Sequence, residues 1–577
     1  MTAPALLRAI DDLARREPGR TALVFLRPDG GETRLTRADL QALVEAWASA
    51  MRAAGMNPQD RVVIALPNGP DAVGAFLGAL RAGAWPAVLP SSIVRGGEAA
   101  FVRRMVGLAR DVRLRAVIVS EDDRPLLAGP LAAAACGLLT APSGRVSLPA
   151  PRTTPQPALE DVAYIQLSSG TTGRQKGILL TWAAIETHMQ DYSRFLRVDP
   201  SDVVVSWLPL FHDMGLITGA ILPLWNGIPT VLLSPQDWAR RPGVMLEAVH
   251  RHRGTLAWMP NFAFNHCARG IRERELRGLD LSCLRVLTNG SEMVRPSSLR
   301  AFVDRFAAYG LRPEAPTPAY GLAENTMIVS SKRPGEPAVV EWILRPELQT
   351  GQRAVSVPQG TGLAWGVVSC GPPVSGVEVR VVDDLGQARP ERRVGEILVR
   401  SGYQFRGYLD RPDLTEAALR DGWLRTGDLG YLANGELFIT GRIKDLILIG
   451  GRNIHPEDLE EAACQATGLR TGRVAAFGVE DEDAGTETAV LVAEAGGAAQ
   501  TYGRALEARL RQAVLQECQV ALGEVHFVPS GWIEKTTSTK VSRSACREKL
   551  LAERGAAGRE PRSADGGTPT ALSRSRG

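Results

Sequence analysis

Short apolar runs alternate with amphipathic segments through the first two thirds of the chain. The clearest runs are residues 62–66, 116–120, 203–207, 230–233, 255–259 and 286–289. Strand-like runs that alternate with helical patterns are typical of parallel sheets covered by helices. From Val374 onward the runs become shorter and are separated by turns, which predicts a smaller and more antiparallel β-unit. The sequence therefore predicts an α/β fold, with parallel sheets first and a β-rich subdomain after them.

The length of 577 residues predicts several compact units, because one domain usually holds roughly 100 to 200 residues. We predict a large N-terminal domain over 1–443, whose β-rich subdomain occupies about 370–443. A small, mobile α+β domain is predicted over 444–551, where strand and helix patterns resume. From Ala552 the sequence is rich in Ala, Gly, Arg and Ser and nearly lacks large apolar residues, so 552–577 is predicted to be a disordered tail.

Composition and charge narrow the class of protein. Charged residues make up 23% and hydrophobic residues 44% of the chain, close to the values of about 25% and 45–50% in soluble globular proteins. The net charge of +4 is small for this length, so we expect no nucleic-acid partner. The seven cysteines include no C-x-x-C pair, which favours a reducing, cytoplasmic location over a disulfide framework or a zinc site.

Two segments bear on membrane attachment, and both lead us to expect no integral membrane anchor. Residues 1–20 mix charged and apolar residues at helical spacing and lack the continuous apolar core of a signal peptide. Residues 214–236 are uncharged but contain Pro223, Asn226 and Pro229. Such residues interrupt a spanning helix, so this stretch is predicted to form a buried helix, a turn and a strand.

The segment SSGTTGRQKG, residues 168–177, combines three glycines, four hydroxyl residues and one lysine. The apolar run 162–167 before it predicts a strand, and Thr181 is a candidate N-cap for a helix over 182–195. Glycines let backbone amides turn inward, and hydroxyls with a lysine add donors for phosphate oxygens. A solvated turn is the alternative, while a Walker loop is disfavoured because it needs a hydroxyl at Gly177. The residues predicted to bind phosphate are Ser168, Ser169, Gly170, Thr171, Thr172, Gly173 and Lys176.

Four further motifs follow this segment in order, and the whole set resembles the acyl-adenylate-forming superfamily. They are YGLAE at 320–324, RTGD at 425–428, GRIKD at 441–445 and TTSTK ending at Lys540. The superfamily includes acyl-CoA synthetases, luciferases and the adenylation domains of peptide synthetases. The resemblance covers roughly residues 10–550, and it implies that ATP and Mg²⁺ convert a carboxylic acid to an acyl-AMP.

The resemblance implies roles for residues around the nucleotide. Tyr320, with Gly321, matches the aromatic position that stacks on adenine, and a core tyrosine is the local alternative. Glu324 matches the carboxylate that holds Mg²⁺, a cation that prefers oxygen ligands. Asp428 matches the carboxylate that binds both ribose hydroxyls, and an Asx turn is the local alternative. The loop matched to the adenine side consists of Asn289, Gly290, Ser291 and Glu292, and a plain turn is the alternative.

The same resemblance assigns four residues nearer the reacting groups. Arg442 matches a ribose or phosphate contact, and Lys444 matches the hinge between the two domains; a linker charge is the alternative. Lys540 matches the mobile lysine that bridges the substrate carboxylate and the α-phosphate, although Thr539 stands where the family usually has glycine. His212 matches a catalytic position where the acyl pocket meets the carboxylate, with a core histidine as the alternative.

Two segments resemble the fatty acyl-AMP ligase branch, namely WLPLFHDMGL at 207–216 and ELFITG at 436–441. The poorly patterned stretch 332–366 matches an insertion that this branch carries and that is associated with poor transfer to free CoA; an arbitrary surface loop is the alternative. The branch passes its fatty acyl group to the phosphopantetheine thiol of an acyl carrier protein. An acyl-CoA synthetase and a degenerate adenylate-binding scaffold are the alternative functions. The residues expected to shape the acyl pocket include Trp225, Met259 and Phe262.

Overall fold

The N-terminal part of the chain alternates helices with strands in the computed structural model. The structure describes residues 4–91, 97–142, 157–168, 176–470, 472–481, 486–495, 497–536 and 540–557. The first elements are α1 (Ala5–Arg16), β1 (Thr21–Leu26), β2 (Glu32–Thr36), α2 (Arg37–Ala53), β3 (Arg61–Ala65), α3 (Pro70–Arg81), β4 (Trp85–Val88), α4 (Gly97–Asp111), β5 (Ala116–Val119), α5 (Arg124–Ala132) and β6 (Gly137–Leu139).

The middle of the chain continues the alternation after a β-hairpin. Its elements are β7 (Val162–Ser168), β8 (Lys176–Thr181), α6 (Trp182–Leu196), β9 (Val204–Ser206), α7 (Asp213–Leu216), α8 (Leu222–Asn226), β10 (Thr230–Leu232), α9 (Pro235–Arg240), α10 (Gly243–His252), β11 (Leu256–Pro260), α11 (Asn261–Gly270), β12 (Val286–Gly290), α12 (Pro296–Phe306), β13 (Pro316–Gly321) and β14 (Ile328–Ser331). The Thr181 hydroxyl accepts the Ala184 N–H at 3.2 Å, which confirms the predicted N-cap of α6.

The uncharged stretch 214–236 contains helix, turn and strand, as predicted. A π-helical turn, Ile217–Ile221, joins α7 to α8, and Gly227 ends α8 with a φ of 65° before β10. Most side chains of this stretch are buried in the main core. None of the helices in the described part of the chain is both long and apolar enough to cross a bilayer.

Two parallel sheets form the frame of the fold. The larger sheet has the strand order β14-β13-β12-β11-β9-β10-β1-β2, and only its edge strands β14 and β2 are antiparallel to their neighbours. The smaller sheet, in the order β4-β3-β5-β6, is parallel throughout. The predicted apolar runs lie in β3, β5, β9, β10, β11 and β12. The predicted α/β class is therefore confirmed, because parallel strands buried on both faces appear in sequence as continuous apolar runs.

The β-rich part follows the parallel sheets. Its elements are β15 (Val340–Leu344), α13 (Arg345–Gly351), β16 (Ala364–Val368), β17 (Val377–Val382), β18 (Gly395–Ser401), β19 (Gly407–Tyr408), α14 (Pro412–Ala418), β20 (Leu419–Arg420), β21 (Trp423–Ala433) and β22 (Glu436–Arg442). The sheet β17-β18-β21-β20, with β22 on β21, is antiparallel as predicted. The stretch 332–366, poorly patterned in sequence, contains the ordered hairpin β15–β16, whose Ile343 and Trp365 pack with Tyr431 and Phe438.

The C-terminal residues build cores of their own. Their elements are β23 (Ile447–Ile449), β24 (Arg452–Ile454), α15 (Pro456–Thr467), β25 (Val474–Asp481), β26 (Thr486–Ala493), α16 (Gly497–Cys518), β27 (Leu522–Phe527) and α17 (Arg543–Ala557). Helices pack on both faces of the sheet β25-β26-β27 through two apolar clusters whose members all lie at or after Ile447. The division of the chain into domains at residue 443 stays a prediction.

The end of α17 corrects one predicted boundary. The helix continues to Ala557, whereas the disordered tail was expected to begin at Ala552. Cys546 and Leu550 are buried against the C-terminal sheet and anchor the helix. An anchored helix extends at little cost through residues of high helix propensity, such as the alanines at its end. Residues 558–577 of the predicted tail lie outside the described residues.

Helices α2 and α3 approach closely because glycine on α3 faces Trp47. A Cβ at Gly78 would lie 2.5 Å from Trp47 Cβ, far inside contact distance. We expect Gly78→Ala to lower the free energy of unfolding by about 1–3 kcal/mol, measured by denaturant unfolding, because overpacking forces the helices apart. Gly107→Ala on α4, where a Cβ would meet nothing within 4 Å, is the matched control and should be neutral or slightly stabilising. An equal decrease in the free energy of unfolding in both variants would exclude the packing explanation.

Candidate active site

The Asp428 carboxylate joins three strands of the candidate site. Tyr320 at the end of β13 donates its hydroxyl hydrogen to Asp428 Oδ2 at 2.7 Å. Arg442 lies directly opposite Asp428 in the β21–β22 register, and its Nε lies 2.8 Å from Asp428 Oδ1. Both carboxylate oxygens are thus engaged by other strands, unlike in the local Asx turn that was the alternative. A carboxylate has about four lone-pair sites, so it can still accept further hydrogen bonds.

Burial and charge shift the pKa values of the partners of Asp428. Burial raises the pKa of the Tyr320 hydroxyl, and the adjacent Asp428 carboxylate raises it further. Asp428 also raises the pKa of the Arg442 guanidinium, which stays fully protonated. The three residues are therefore the neutral phenol of Tyr320 and the ion pair between Asp428 and Arg442, at the edge of the β-rich part.

The turn after β13 is strained. A Cβ at Gly321 would lie 1.9 Å from the Met327 carbonyl oxygen, so only glycine permits this approach. Thr326 has a φ of 60° and a ψ of −53°, and the Met327 N–H donates to the Asn325 carbonyl at 2.6 Å across it. This conformation is close to the rare γ-turn, and the Thr326 hydroxyl stabilises it by donating to the Tyr403 carbonyl at 2.7 Å. Glu324 lies within this strained turn, between Gly321 and Thr326.

Glu324 has a tyrosine and a lysine as neighbours. The Tyr408 hydroxyl donates to Glu324 Oε1 at 2.8 Å, and Lys176 Nζ lies 4.9 Å from the centroid of the Tyr408 ring. Tyr408 is beside Lys176 because β19 pairs with β8. Burial raises the pKa of the Glu324 carboxyl, although Tyr408 and Lys176 oppose that effect. Such a carboxylate gains stability when a cation binds beside it.

The Asn289-Gly290-Ser291 loop lies at the end of β12. Asn289 is fully buried, and its Nδ2 donates to Asn261 Oδ1 at 3.2 Å. No described residue donates to Asn289 Oδ1, which leaves an acceptor available beside the site. Ser291 has a φ of 67°, so the backbone turns sharply out of the strand at this point.

His212 and Asp213 form a pair at the start of α7. His212 Nδ1 lies 2.5 Å from Asp213 Oδ1, and the Met214 N–H donates to Asp213 Oδ1 at 2.7 Å. Burial by itself raises the pKa of Asp213, but His212, the Met214 N–H and Lys540 outweigh it and hold the pKa below its usual value. His212 is half-buried at the N-cap of α7, so it is not enclosed in the core.

Lys540 reaches this site from the C-terminal part of the chain. Burial lowers the pKa of the Lys540 ammonium, and Arg442 lowers it further. Glu292, Asp213 and Asp428 oppose the shift by their negative charges. Its backbone is held near the end of a turn, where the Thr536 N–H donates to the Lys540 carbonyl at 2.8 Å.

The structure brings three predicted site residues into direct contact, because Tyr320 and Arg442 both bind Asp428. Ser168 and Lys176, the two ends of the glycine-rich segment that are described, pair across β7 and β8. Lys444 lies in the 3₁₀ turn Ile443–Asp445 that follows β22. The predicted phosphate-binding residues Ser169, Gly170, Thr171, Thr172 and Gly173 lie outside the described residues.

Sequence reasoning missed two residues of the site, Asp213 and Tyr408, and it placed Glu292 only in the adenine-side loop. Asp213 stands beside His212 in the quoted motif, so adjacency was an available signal. The Glu292 carboxylate accepts the Phe262 N–H at 3.0 Å, and burial raises its pKa while Lys540 opposes the rise. Tyr408 carried no local signal, because only the pairing of β19 with β8 brings it to Glu324.

A cavity of about 350 Å³, a volume that includes space open to solvent, lies between these groups. Asp213, Ser291 and Tyr320 line one part of it. The remaining lining residues are Tyr192, Met214, Trp258, Thr288, Gly290, Ala319, Gly321, Met327 and Ile328. None of the three residues expected to shape the acyl pocket, Trp225, Met259 and Phe262, lines this cavity. Trp258 does so instead of Met259, because successive side chains of a strand point to opposite faces.

Residues 10–409 match the protein family described as AMP-binding enzyme. The chain belongs to this family. The membership confirms the predicted resemblance to the acyl-adenylate-forming superfamily and the prediction that the protein is an enzyme.

Individual relatives extend the match beyond the N-terminal part. The medium-chain fatty acid–[acyl-carrier-protein] ligase JamA of Moorena producens is 37% identical over 409 residues, which cover 68% of each chain. A protein of Caulobacter vibrioides, provisionally named an acyl-CoA synthetase, is 34% identical over 95% of this chain and 96% of its own. A solved chain from structural and functional studies of fatty acyl-adenylate ligases from E. coli and L. pneumophila is 29% identical, with a TM-score of 0.89 over 96% of this chain and 99% of that chain.

His188 beneath the cavity makes folding pH-dependent. Burial lowers the pKa of His188 to about 3, so the folded protein keeps it neutral while the unfolded chain takes up a proton near its usual pKa of about 6.5. Stability contributed by neutral His188 is therefore lost as pH falls below about 6.5. From neutral pH to about pH 5 we expect the wild type to lose about 2 kcal/mol more unfolding free energy than His188→Gln. Denaturant unfolding at both pH values measures the difference, and identical pH dependence of the two proteins would contradict the assignment.

Proposed function

We propose that this chain uses ATP to convert a fatty or related carboxylic acid to an acyl-AMP, with release of pyrophosphate. It then transfers the acyl group to the phosphopantetheine thiol of an acyl carrier protein. Family membership supports the adenylation step, and the names of the relatives support both the fatty acid and the carrier.

The observation that carries the proposal is the position of Lys540. Its ammonium lies in the field of Asp213, Asp428 and Arg442, which come from separate parts of the N-terminal segment. Both the Asp428 carboxylate and the Asp213 carboxylate of the His212–Asp213 pair therefore stabilise its positive charge. A positive charge here would bind both a substrate carboxylate and an α-phosphate, the two groups that must meet.

The residues present fit ATP. Asp428 retains acceptor capacity for ribose hydroxyls, and Asn289 Oδ1 is an acceptor without a described donor near the end of β12, suited to an amino group of a base. The ring of Tyr320 at the end of β13 supplies an aromatic surface for adenine. Lys176 at the start of β8 provides a cation for the phosphates.

The residues also fit a Mg²⁺ ion held mainly by the nucleotide. Among the described residues no group of three or more His, Cys, Asp or Glu could hold a metal by itself. Mg²⁺ usually binds one or two carboxylates together with substrate phosphates, and the half-buried Glu324 supplies such a carboxylate. When bound, Mg²⁺ neutralises charge on the phosphates, and Glu324 is the residue that would hold it.

The chemistry follows from positioning and charge. A carboxylate oxygen of the acid attacks the α-phosphorus, a new P–O bond forms, and the bond from that phosphorus to pyrophosphate breaks. Lys540 stabilises the negative charge that develops on the α-phosphate, and Arg442 keeps Asp428 oriented toward the ribose. His212 lies beside the acid carboxylate, with Asp213 fixing its ring.

Transfer of the acyl group to the thiol requires Lys540 to move out of the candidate active site. Rotation of the C-terminal part about Lys444 would remove the lysine and admit the thiol. The thiol sulfur attacks the acyl carbonyl, a C–S bond forms, and the C–O bond to AMP breaks. The same cavity thus holds the acyl group in both steps.

The 332–366 stretch contacts the C-terminal part of the chain. Arg345 from this stretch and Arg295 at the start of α12 both form ion pairs with Asp458 on α15. Gln349 accepts a hydrogen bond from Arg452 at 2.5 Å. These contacts tie the C-terminal part to the N-terminal segment in this arrangement, and the name of JamA supports a carrier protein as acceptor.

Free CoA is the second candidate acceptor. The name of the Caulobacter vibrioides relative favours it, and that relative matches nearly the whole chain.

Lys540→Ala tests the role of the buried lysine. We expect adenylation to slow about a hundredfold, equivalent to about 3 kcal/mol of lost transition-state stabilisation. The measurement is pyrophosphate release with ATP and a reactive acid. Lys549→Ala is the matched control, because Lys549 lies on α17 and pairs with Glu534 away from the site. Normal adenylation by Lys540→Ala would exclude the assignment.

The acceptor is tested by supplying purified enzyme with ATP, an acid, and either CoA or a phosphopantetheinylated carrier protein. We expect acyl-carrier formation at least about tenfold faster than acyl-CoA formation, because the similar ligase JamA is named for transfer to an acyl carrier protein. Mass spectrometry of both products measures the ratio. Preferential acyl-CoA formation would assign the enzyme to the synthetases, and absence of pyrophosphate release with every acid would favour a scaffold.

A further inference from the structure

An aromatic pair lines the cavity beside the candidate active site. Trp258 on β11 has only 1% of its surface exposed, and its indole N–H donates to the Tyr192 hydroxyl at 2.9 Å. Tyr192 on α6 is fully buried. Both side chains line the cavity, on strand and helix segments that contain none of the ionisable site residues.

The His188 ring packs against the Tyr192 side of the aromatic pair. The His188 ring lies 5.6 Å from the Tyr192 ring and 5.1 Å from the Tyr403 ring, measured between centroids. His188 Nε2 also accepts the Ile328 N–H at 3.4 Å. Rotation of Trp258 would break its hydrogen bond in a buried environment, which costs more than the bond contributes when formed.

The polar end of the cavity defines the direction in which an acid would enter. Asp213, Ser291 and Tyr320 line that end, next to the groups that surround Lys540. The sides carry Met214 and Met327, whose flexible side chains adapt to a bound tail. A carboxylate held at the polar end therefore directs its hydrocarbon tail toward Trp258.

We propose that Trp258, held by Tyr192, closes the acyl cavity and sets the longest acid that this enzyme activates. This inference rests on the proposed function. The bulky indole would block a tail that extends past it, so the substrate class is a short- or medium-chain carboxylic acid rather than a long-chain fatty acid.

The test is a length profile of saturated unbranched acids from butanoic to hexadecanoic acid. Pyrophosphate release gives kcat and KM for each acid with wild type and Trp258→Ala. For the wild type we expect kcat/KM to fall steeply beyond medium chain lengths. In Trp258→Ala the ratio of kcat/KM for dodecanoic over octanoic acid should rise at least about tenfold, because even one methylene is worth about tenfold or more in a closed pocket.

The split between kinetic constants separates a pocket wall from a general structural role. Trp258 supplies no charged group to the reaction, so the gain should lie in a lower KM for long acids, while kcat for short acids stays within about twofold. Trp47→Ala is the matched control, because Trp47 is equally buried but packs between α2 and α3 away from the cavity. Its length profile should equal that of the wild type.

The outcomes distinguish this inference from the proposed function. Wild type that activates no acid contradicts the proposed function, whereas active wild type with an unchanged profile in Trp258→Ala overturns the role of Trp258. A wild type that prefers hexadecanoic acid overturns it as well, and so does an equal shift in Trp47→Ala. Thermal unfolding checks that Trp258→Ala is folded; if it is not, the smaller Trp258→Phe change decides, with a shift toward longer acids expected.

Discussion

The ammonium of Lys540 lies among three carboxylates, and the candidate site depends on this balance of buried charge. Burial and Arg442 both disfavour the charged lysine, while Asp213, Asp428 and Glu292 favour it. A buried charge without partners costs several kcal/mol, so the lysine can approach only where these acids are already in place. The acids come from the start of α7, from β21 and from the loop after β12. The N-terminal segment thus supplies the three carboxylates, and the C-terminal part supplies the lysine.

The frame that holds these acids is the carboxyl edge of the larger sheet. β11 ends at Pro260, β12 at Gly290 and β13 at Gly321, and neighbouring strands in this series are parallel. Ligands of open α/β sheets bind beyond the carboxyl ends of strands, because the loops that follow the strands meet there. The strained turn at Thr326 follows β13, and Trp258 of the aromatic pair lies two residues before the carboxyl end of β11. Rigid neighbours of this kind hold a site in one geometry at the expense of local strain.

Predictions from sequence succeeded where the signal is local. The run 116–119 is apolar because every residue of β5 is buried, and Thr181 caps α6 through its own hydroxyl. Predictions from sequence failed where contacts with residues distant in the sequence determine the structure. Met259 and Trp258 are adjacent on one strand, and only the packing of β11 against α6 determines which of them faces the cavity. The end of α17 was placed too early because Cys546 and Leu550, which anchor it, find their partners in a distant sheet.

Local sequence alone was sufficient for the alternating strands and helices, for the order of motifs that leads to the family, and for the residue types able to bind a nucleotide. Burial and local hydrogen bonding constrain each segment separately, so the spacing of apolar and capping residues is visible in the sequence. The tertiary structure decided which charged groups meet. Tyr320 and Asp428 are 108 residues apart, and Tyr408 reaches Glu324 through the pairing of two short strands. Such contacts depend on strand register and on the packing of sheets, which no single segment encodes.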